Sequence, residues 1–334
     1  MAQRDALLLD FLATTPWKNA TRDPLAADAS GRSYERLTHN GATAILMNAP
    51  YEAGEDVRPF VAVTKMLKSF DLAPPQIFAM DIENGFLVLE DFGNDLFARM
   101  CEVSPNLEKP MYSAAIDVLT KLHKHDAPDE LPPYDLAVYL REAQLLTSWY
   151  LPALTGKLSP ALQSEFDALC MQTFAQIPTD NPVLVMRDYH AENLLWLPDR
   201  TGTSRVGLLD YQDALAGHSA YDLVSLLEDA RRDTSPDLRN DMIQQYLENS
   251  NHNANSFMAA YALLGAQRNI KIIGIFTRLS LRDGKAHYID LIPRVWDHLM
   301  RDLQHPACAK LSAWIAQYAP PPTDKNLQKL RSSK

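Results

Sequence analysis

The spacing of apolar positions changes once along the chain. Residues 34–48 and 76–90 carry short apolar runs broken by "THNGA" and "MDIENG", which predicts two pairs of strands closed by turns. The segment 55–70 between them has apolar residues at helical spacing, with Pro59 near its start. The N-terminal stretch "MAQRDALLLDFLATTPW" is predicted to form a surface helix. The first part of the chain is therefore expected to be strand-rich with few helices.

Helical spacing dominates after "EDFGND". It predicts helices over 108–125, 135–152 and 160–176, and again from residue 219 almost to the end. The proline-rich tail that begins at Pro320 is expected to fray. This part of the chain is expected to be mainly helical.

Three short apolar runs interrupt the helical part, at 182–186, 193–197 and 205–210, and their length fits buried strands. The predicted fold class is α+β with two lobes. Residues 1–91 would form a small β-rich lobe, and residues 92–334 a larger, mainly helical one.

Composition narrows the possible functions. The 334 residues include 32 Lys and Arg against 42 Asp and Glu, a net charge of −10, which argues against nucleic-acid binding. Cys101, Cys170 and Cys308 lie far apart, which argues against a zinc site or a disulfide framework. No apolar run approaches the ~20 residues of a membrane span. We expect a cytoplasmic protein that binds neither nucleic acid nor membrane; the oligomeric state stays open.

The loop "RDYHAEN" carries the strongest chemical signal. Phosphoryl transfer needs a carboxylate to orient a hydroxyl and oxygen ligands to hold Mg²⁺. Asp188 can orient the hydroxyl and accept its proton, and Asn193 can ligate the metal. Asp210 closes the next apolar run, 17 residues after Asn193, and can supply a second ligand. The D-x4-N spacing alone is weak, and these residues are also common turn and cap formers.

The segments "RDYHAEN", "LLDYQDA" and "AYDLVSLL" resemble the catalytic core of the aminoglycoside phosphotransferase and choline kinase family, which shares the bilobal protein-kinase fold. The resemblance implies that Asp188 is the catalytic base, that Asn193 and Asp210 bind Mg²⁺, and that ATP is the phosphoryl donor. One position departs from the H-R-D-x-x-x-x-N pattern of protein kinases, because Met186 stands in place of His.

The resemblance also implies that Arg187 and Asp222 brace the catalytic loop. Asp222 stands near the start of a predicted helix in "HSAYDLVSLL". Its alternative role is a capping box formed by Ser219-x-x-Asp222. Both roles stay open.

The nucleotide-binding site is expected in the first lobe. The resemblance places the turn "DASGRSYERL" over ATP and pairs the backbone of "FLVLEDFG" with adenine. The candidate nucleotide-binding residues are Ser30, Gly31, Arg32, Ser33, Arg36 and Glu90. Kinases carry a Lys on the third strand, paired with a Glu of the following helix. Here Met47 stands at about that place and the helix has no inward-facing Glu. We hypothesise that Arg32 or Arg36 supplies the positive charge.

The segments "AILMNAP", "GFLVLEDFG" and "GAQRNIKIIGIFTRLSLRDGK" resemble bacterial cell-wall amino-sugar kinases, which phosphorylate the anomeric hydroxyl of N-acetylmuramate or N-acetylglucosamine. The substrate-side candidates are His190, Asp213, Glu142, Arg268 and Lys271. A basic stretch around Arg268 and Lys271 suits the carboxylate of a muramate better than a polycationic aminoglycoside. Alternatively, the basic stretch is a solvated helix face or binds the phosphates. The alternative role of Glu142 is packing in the core.

Other functions stay open beside a small-molecule kinase acting on an amino sugar. One is a kinase for an aminoglycoside or a small alcohol such as choline or homoserine. Another is a pseudokinase, favoured by the missing Lys and His but opposed by the intact Asp188, Asn193 and Asp210. A protein kinase is disfavoured, because eleven residues between Asp210 and Asp222 are too few for a peptide-docking activation loop.

Overall fold

The strand-rich region forms one antiparallel sheet. The computed structural model describes residues 2–25 and 31–332. In chain order, this region contains α1 Ala2–Ala13, β1 Thr21–Leu25, β2 Ser33–His39, β3 Ala42–Asn48, α2 Val57–Ser69, β4 Ile77–Asp81 and β5 Phe86–Glu90. The strand order is β1-β2-β3-β5-β4. Both predicted strand pairs and both predicted helices are present.

Local chemistry explains the predicted hairpin. The β2–β3 turn contains Asn40 and Gly41, both with positive φ, at 51° and 79°. Two-residue hairpin turns with positive φ at both positions favour an Asn-Gly pair. Strand β1 was not predicted, because "TRDPL" is polar and contains Pro24, which is tolerated at a sheet edge.

The N-terminal helix is only partly a surface element. Leu8, Phe11 and Leu12 of α1 are buried in one cluster with β-sheet residues that include Leu37 and Phe86. Arg4 stacks on the Phe86 ring with its guanidinium carbon 4.2 Å from the centroid. One face of α1 therefore covers the sheet.

The middle of the described chain is helical, as predicted. Its helices are α3 Phe97–Val103, α4 Glu108–Leu122, α5 Leu136–Leu145, α6 Leu151–Thr155 and α7 Pro160–Phe174. The single helix predicted over 135–152 is divided by a π-helical turn, Leu146–Tyr150. Pro152 follows this turn and has no amide hydrogen for the regular helical ladder, which explains the irregularity.

Four short strands form two antiparallel pairs. They are β6 Val183–Val185, β7 Leu194–Trp196, β8 Val206–Leu208 and β9 Leu215–Gly217. Strand β6 pairs with β9, and β7 pairs with β8 so that Leu194 lies opposite Leu208. The first three were predicted with slightly longer bounds. Strand β9 was missed because "LAG" is short and weakly apolar.

The C-terminal part is helical to the end of the described residues. Its helices are α8 Ala220–Leu227, α9 Pro236–Glu248, α10 Ala254–Asp283, α11 Ile292–Asp302, α12 Ala309–Tyr318 and α13 Asp324–Ser332. Although α10 has 30 residues, neither it nor any other helix of the described chain is long and apolar enough to cross a membrane.

The prediction of a frayed tail was wrong. Leu327 and Leu330 of α13 are buried, and the Lys329 amine donates to the Leu154 carbonyl at 2.7 Å. The two leucines are three residues apart, which places them on one face of the helix.

The chain divides into two compact units. The first contains residues 1–118 and 192–213, and the second contains residues 119–191 and 214–334. The β7–β8 hairpin joins the first unit because the Trp196 amide donates to the Asp95 carbonyl at 2.8 Å and the Leu208 amide to the Ala73 carbonyl at 3.0 Å. The predicted lobe boundary at Glu90–Gly93 differs from this division and stays a prediction.

Candidate active site

In the second unit, the loop that carries Asp188 follows β6 and is held by Asp222. The Asp222 carboxylate accepts the amide of Met186 at 2.7 Å and that of Arg187 at 2.8 Å. Asp222 is fully buried, and burial raises its pKa to about 7 although the two amides act in the opposite direction. The backbone just before Asp188 is therefore fixed by one buried side chain.

Ser219 does not form the capping box that was the alternative for Asp222. It caps α8 without a side-chain hydrogen bond to the helix. Its hydroxyl instead lies 3.0 Å from Nε2 of His252. Asp222 contacts the amides of Met186 and Arg187, and its role as a brace of the loop stays a prediction.

Arg187 has a backbone conformation that side chains rarely adopt. Its φ is 71°, in the left-handed region. Its Nη2 lies 2.5 Å from Oε1 of Glu142, and its guanidinium stacks on the Tyr134 ring at 5.6 Å. Such backbone conformations persist only when the surrounding contacts hold them, and they cluster at functional sites. The residue next to Asp188 is held in this way.

Glu142 is the centre of a buried ionic cluster. Besides Arg187, its carboxylate accepts the Tyr134 hydroxyl at 2.6 Å and lies 3.5 Å from the Lys271 amine. Burial alone would raise the pKa of Glu142, but the cations of Lys271 and Arg187, together with hydrogen bonds from Tyr134 and Gln267, outweigh burial and the pKa is lowered. Glu142 thus supports Arg187, and its predicted contact with substrate stays a prediction.

Arg268 and Lys271 are not on a solvated helix face. Arg268 is 3% exposed and donates to the Glu228 carbonyl at 3.2 Å and to the Ser225 hydroxyl at 3.0 Å. Lys271 is 7% exposed and donates to the Tyr221 hydroxyl at 2.9 Å. Their predicted role in binding the substrate carboxylate stays a prediction, and these inward contacts argue for a supporting role.

The other two candidate substrate-binding residues, His190 and Asp213, lie in different environments. His190 is buried, and burial lowers the pKa of its imidazole. Its amide donates to the Asp188 carbonyl at 3.1 Å, and the next amide, of Ala191, donates to the Asp229 carboxylate at 3.3 Å. Asp213 is exposed in the first unit. His190 thus belongs to the folded loop that carries Asp188.

In the first unit, Asn193 and Asp210 lie at the open end of the β7–β8 ladder. The Leu209 amide donates to the Asn193 carbonyl at 3.0 Å. The Asn193 side-chain amide lies 3.4 Å from Oδ2 of Asp210, and Gln212 donates to Oδ1 of Asp210 at 2.7 Å. The predicted pair is therefore together in the structure, and Gln212 is a partner that the sequence did not indicate.

This pair fits a magnesium ion. It offers a carboxylate oxygen and an amide oxygen, the hard ligands that Mg²⁺ prefers. No group of three or more His, Cys, Asp or Glu suited to a metal occurs among the described residues. Magnesium is commonly held by one or two carboxylates together with water and phosphates, so two protein ligands are sufficient.

The segment after Asp210 is tied to helix α2. The Tyr211 ring stacks on Phe60 with centroids 5.1 Å apart, and its hydroxyl lies 2.8 Å from the Thr64 hydroxyl. Asp210 has a φ of 56°, another left-handed conformation. No local sequence pattern indicated this anchor, because it joins residues that are far apart along the chain.

The predicted phosphate turn is held by an acidic residue. The Glu55 carboxylate pairs with Nε of Arg32 at 2.6 Å and accepts the Gly31 amide at 2.8 Å. Ser33 opens strand β2. Ser30 lies outside the described residues. Glu55 was not predicted, although it is the acidic residue directly before Asp56, which caps α2.

The predicted hinge has its own ionic contacts. Arg36 pairs with the Asp91 carboxylate at 2.7 Å and donates to the Asn94 side chain at 3.0 Å. Glu90 pairs with Arg200 at 2.5 Å and accepts the Gln76 amide at 3.1 Å. The Arg36 guanidinium is therefore used in holding the segment after β5.

Residues 21–261 match the family model described as the phosphotransferase enzyme family. The chain belongs to this family and is a phosphotransferase acting on a small molecule. It is similar to the N-acetylmuramate/N-acetylglucosamine kinase of Caulobacter vibrioides, with 35% identity over 96% of this chain and 98% of that protein. The kinase of the same name from Neisseria meningitidis serogroup B is 33% identical over 90% of this chain and 91% of its own length.

Solved structures show the same fold at low identity. Choline kinase LicA from Streptococcus pneumoniae has a TM-score of 0.63 at 11% identity and covers 89% of this chain and 99% of its own. The gentamicin complex of APH(2")-IIa has a TM-score of 0.62 at 13% identity, with coverages of 91% and 97%. The predicted kinase-like α+β fold and the predicted enzyme class are confirmed.

Proposed function

We propose that this protein transfers the γ-phosphate of ATP to the anomeric hydroxyl of N-acetylmuramate or N-acetylglucosamine. The observation that carries the phosphotransfer is the buried Asp222 carboxylate, which holds the two amides directly before Asp188. The names of the two relatives support the choice of acceptor.

Asp188 acts as the base. It orients the sugar hydroxyl and accepts its proton as the hydroxyl oxygen forms its bond to the γ-phosphorus. The bond from that phosphorus to the bridging oxygen of ADP breaks, and ADP leaves with the electron pair. The tight turn in which the Asp188 amide donates to the Met186 carbonyl at 2.9 Å helps to fix the orientation of this carboxylate.

Asn193 and Asp210 would hold the magnesium ion. When bound, the ion would supply positive charge that offsets the negative charge developing on the phosphates. Gln212 holds one oxygen of Asp210 and thereby orients its carboxylate. The anchor of Tyr211 on α2 keeps the backbone after Asp210 in place.

The test is ADP release from Mg²⁺-ATP with a panel of acceptors. The panel contains N-acetylmuramate, N-acetylglucosamine, glucosamine, choline, homoserine and kanamycin. We expect turnover with an N-acetylated sugar, and a loss of about 100-fold or more in Asp188→Asn. Asp199→Asn is the matched control, because Asp199 is an exposed residue of the β7–β8 loop.

Two results would overturn the proposal. Turnover with kanamycin alone would assign the chain to aminoglycoside modification. Nucleotide binding without turnover on any of these acceptors would favour the pseudokinase.

A further inference from the structure

Lys271 is a buried cation of helix α10 in the second unit. Its amine donates to the Tyr221 hydroxyl at 2.9 Å and lies 3.5 Å from Oε1 of Glu142. The same amine lies 5.6 Å from the centroid of the Tyr221 ring. Burying an ammonium group without partners would be strongly unfavourable, so these contacts stabilise Lys271 in its charged form.

The Glu142 carboxylate joins Lys271 to the loop that carries Asp188. Its Oε1 atom is shared by the Lys271 amine, at 3.5 Å, and by Nη2 of Arg187, at 2.5 Å. Its Oε2 atom accepts the side-chain amide of Gln267 at 3.0 Å. Gln267 and Lys271 are four residues apart on α10, so both contact Glu142 from one face of that helix. The carboxylate is therefore held by α10 as well as by the loop.

The charges around Glu142 balance when Asp188 is counted. Lys271 and Arg187 carry two positive charges against the single negative charge of Glu142, and Asp188 lies within electrostatic reach of both cations. Burial acts to lower the pKa of the Lys271 amine, but its neighbours, chiefly Tyr221 and Glu142, outweigh burial and the pKa is raised. Removing the Lys271 charge would leave these groups with an excess of one negative charge.

Arg187 depends on the position of Glu142. Its φ of 71° lies in the left-handed region, where a residue other than Gly stays only if its surroundings hold it. Its guanidinium contacts Glu142 and stacks on the Tyr134 ring, and the Tyr134 hydroxyl donates to the same carboxylate at 2.6 Å. A shift of Glu142 would therefore disturb these contacts and the backbone of the adjacent Asp188.

We propose that Lys271 is a positioning residue for phosphotransfer, which holds Glu142 where it orients Arg187 and thereby the backbone of Asp188. Lys271 then acts on the transfer step and not on the binding of either sugar. N-acetylmuramate has a carboxylate that N-acetylglucosamine lacks, so a direct contact of Lys271 with that carboxylate would affect only one acceptor. The inference rests on the proposed function.

The test is the steady-state kinetics of Lys271→Met with each sugar and with ATP, measured well below the melting temperature of every variant. Met has a similar length but no charge. We expect kcat to fall about tenfold or more with both sugars, because small displacements of reacting groups cost up to about 100-fold. The KM for each sugar and for ATP should stay within about threefold of the wild type, since no contact with substrate is lost.

The matched control is Lys310→Met. Lys310 is an exposed lysine of α12 in the same unit, and its amine donates to the Gln172 side chain at 3.1 Å. We expect its kcat and KM values to stay within about twofold of the wild type, because exposed polar contacts contribute little.

A double variant tests whether Lys271 acts through Glu142. Glu142→Gln removes the anion that Lys271 holds, so adding Lys271→Met should change kcat by no more than about twofold. Losses that multiply in the double variant, an unchanged kcat in Lys271→Met, or a KM for either sugar raised beyond threefold would each overturn the inference. A KM raised for N-acetylmuramate alone would assign Lys271 to the carboxylate of that sugar. Absence of turnover by the wild type with both sugars would instead overturn the proposed function.

Discussion

Asp222 and Glu142 hold the residues around Asp188 from two directions. Asp222 accepts the main-chain amides before it, and Glu142 accepts the Arg187 guanidinium. Both carboxylates are buried, so each is sensitive to the loss of its partner. The two residues lead to separate predictions.

The substitution Asp222→Asn is expected to lower kcat and stability, because Asn has only one side-chain oxygen and cannot accept both amides, whereas Asp has two oxygens in either protonation state. Leaving a buried amide unpaired costs about 1–3 kcal/mol. The pKa of Asp222 is raised from 3.8 to about 7, so the folded state holds this proton more tightly than the unfolded state. As the pH rises between these two pKa values, Asp222 becomes ionised more readily in the unfolded state than in the folded state. The free energy of unfolding therefore decreases over this range of pH.

Urea unfolding of the wild type and Asp222→Asn from about pH 4 to about pH 8 measures this effect. The stability advantage of the wild type should shrink as the pH rises. An advantage that grows with pH would show that the two amides, rather than burial, determine the ionisation of Asp222.

The substitution Glu142→Gln is expected to lower kcat more than it raises the KM for ATP, because Glu142 acts through Arg187 on the catalytic loop. Removing one partner of a buried ion pair also costs about 3 kcal/mol. Tyr134→Phe removes one hydrogen bond to Glu142 but no charge, and should have a much smaller effect. Steady-state kinetics and urea unfolding test this, and equal effects of the two variants would contradict it.

At the residue scale, the sequence pattern indicated candidate residues but not their partners in the folded chain. Asp188 and Asp210 follow short apolar runs and Asn193 stands directly before one, so local pattern was enough to indicate them as candidates. Arg268 and Lys271 are buried against groups far along the chain, contacts that the sequence pattern did not indicate, and their predicted role at the substrate stays a prediction. Local pattern does not reveal which charges pair over such distances.

Among the helices, α10 contains Gly274 at a point where the backbone of Leu145 leaves no room for a side chain. A Cβ on Gly274 would lie 2.4 Å from the main-chain carbon of Leu145. Gly274→Ala is therefore expected to destabilise the protein by about 1–3 kcal/mol through overpacking. In an exposed helix the same change would stabilise by about 1 kcal/mol. Thermal unfolding shows whether Gly274→Ala stabilises or destabilises the protein. The control is Asn255→Ala at an exposed position of α10.

Helix α13 is expected to contribute measurably to stability, because Leu330 is fully buried. Leu330→Ala should lower the free energy of unfolding by about 2 kcal/mol or more. Gln328→Ala on the exposed face of the same helix should change it by less than about 0.5 kcal/mol. Equal stabilities in urea unfolding would mean that α13 does not pack in solution.

At the scale of elements, long periodic segments were predicted well and short ones were not. The helices over 108–125 and 160–176 were found within a few residues of Glu108–Leu122 and Pro160–Phe174. Strand β9 has three residues, and α13 follows three prolines, so neither had a clear local signal. Their structure depends on tertiary packing, which is absent from any local pattern.

For the molecule as a whole, the sequence predicted the fold class and the enzyme class. The family match over residues 21–261 and the kinase-like neighbours confirm both. The division into units was not predicted, because the β7–β8 hairpin is joined to Asp95 and Ala73 by main-chain hydrogen bonds. Such bonds depend on the folded backbone rather than on side-chain identity.

The central claim is that Asp188 promotes transfer of phosphate to the anomeric hydroxyl of an N-acetylated amino sugar. Phosphorus–proton correlation NMR of the products formed from Mg²⁺-ATP with N-acetylmuramate or N-acetylglucosamine tests it most directly. We predict a phosphomonoester signal coupled to the anomeric proton, formed one-to-one with ADP and absent with Asp188→Asn. Inorganic phosphate without a sugar phosphate, or phosphate coupled to another sugar proton, would contradict the account.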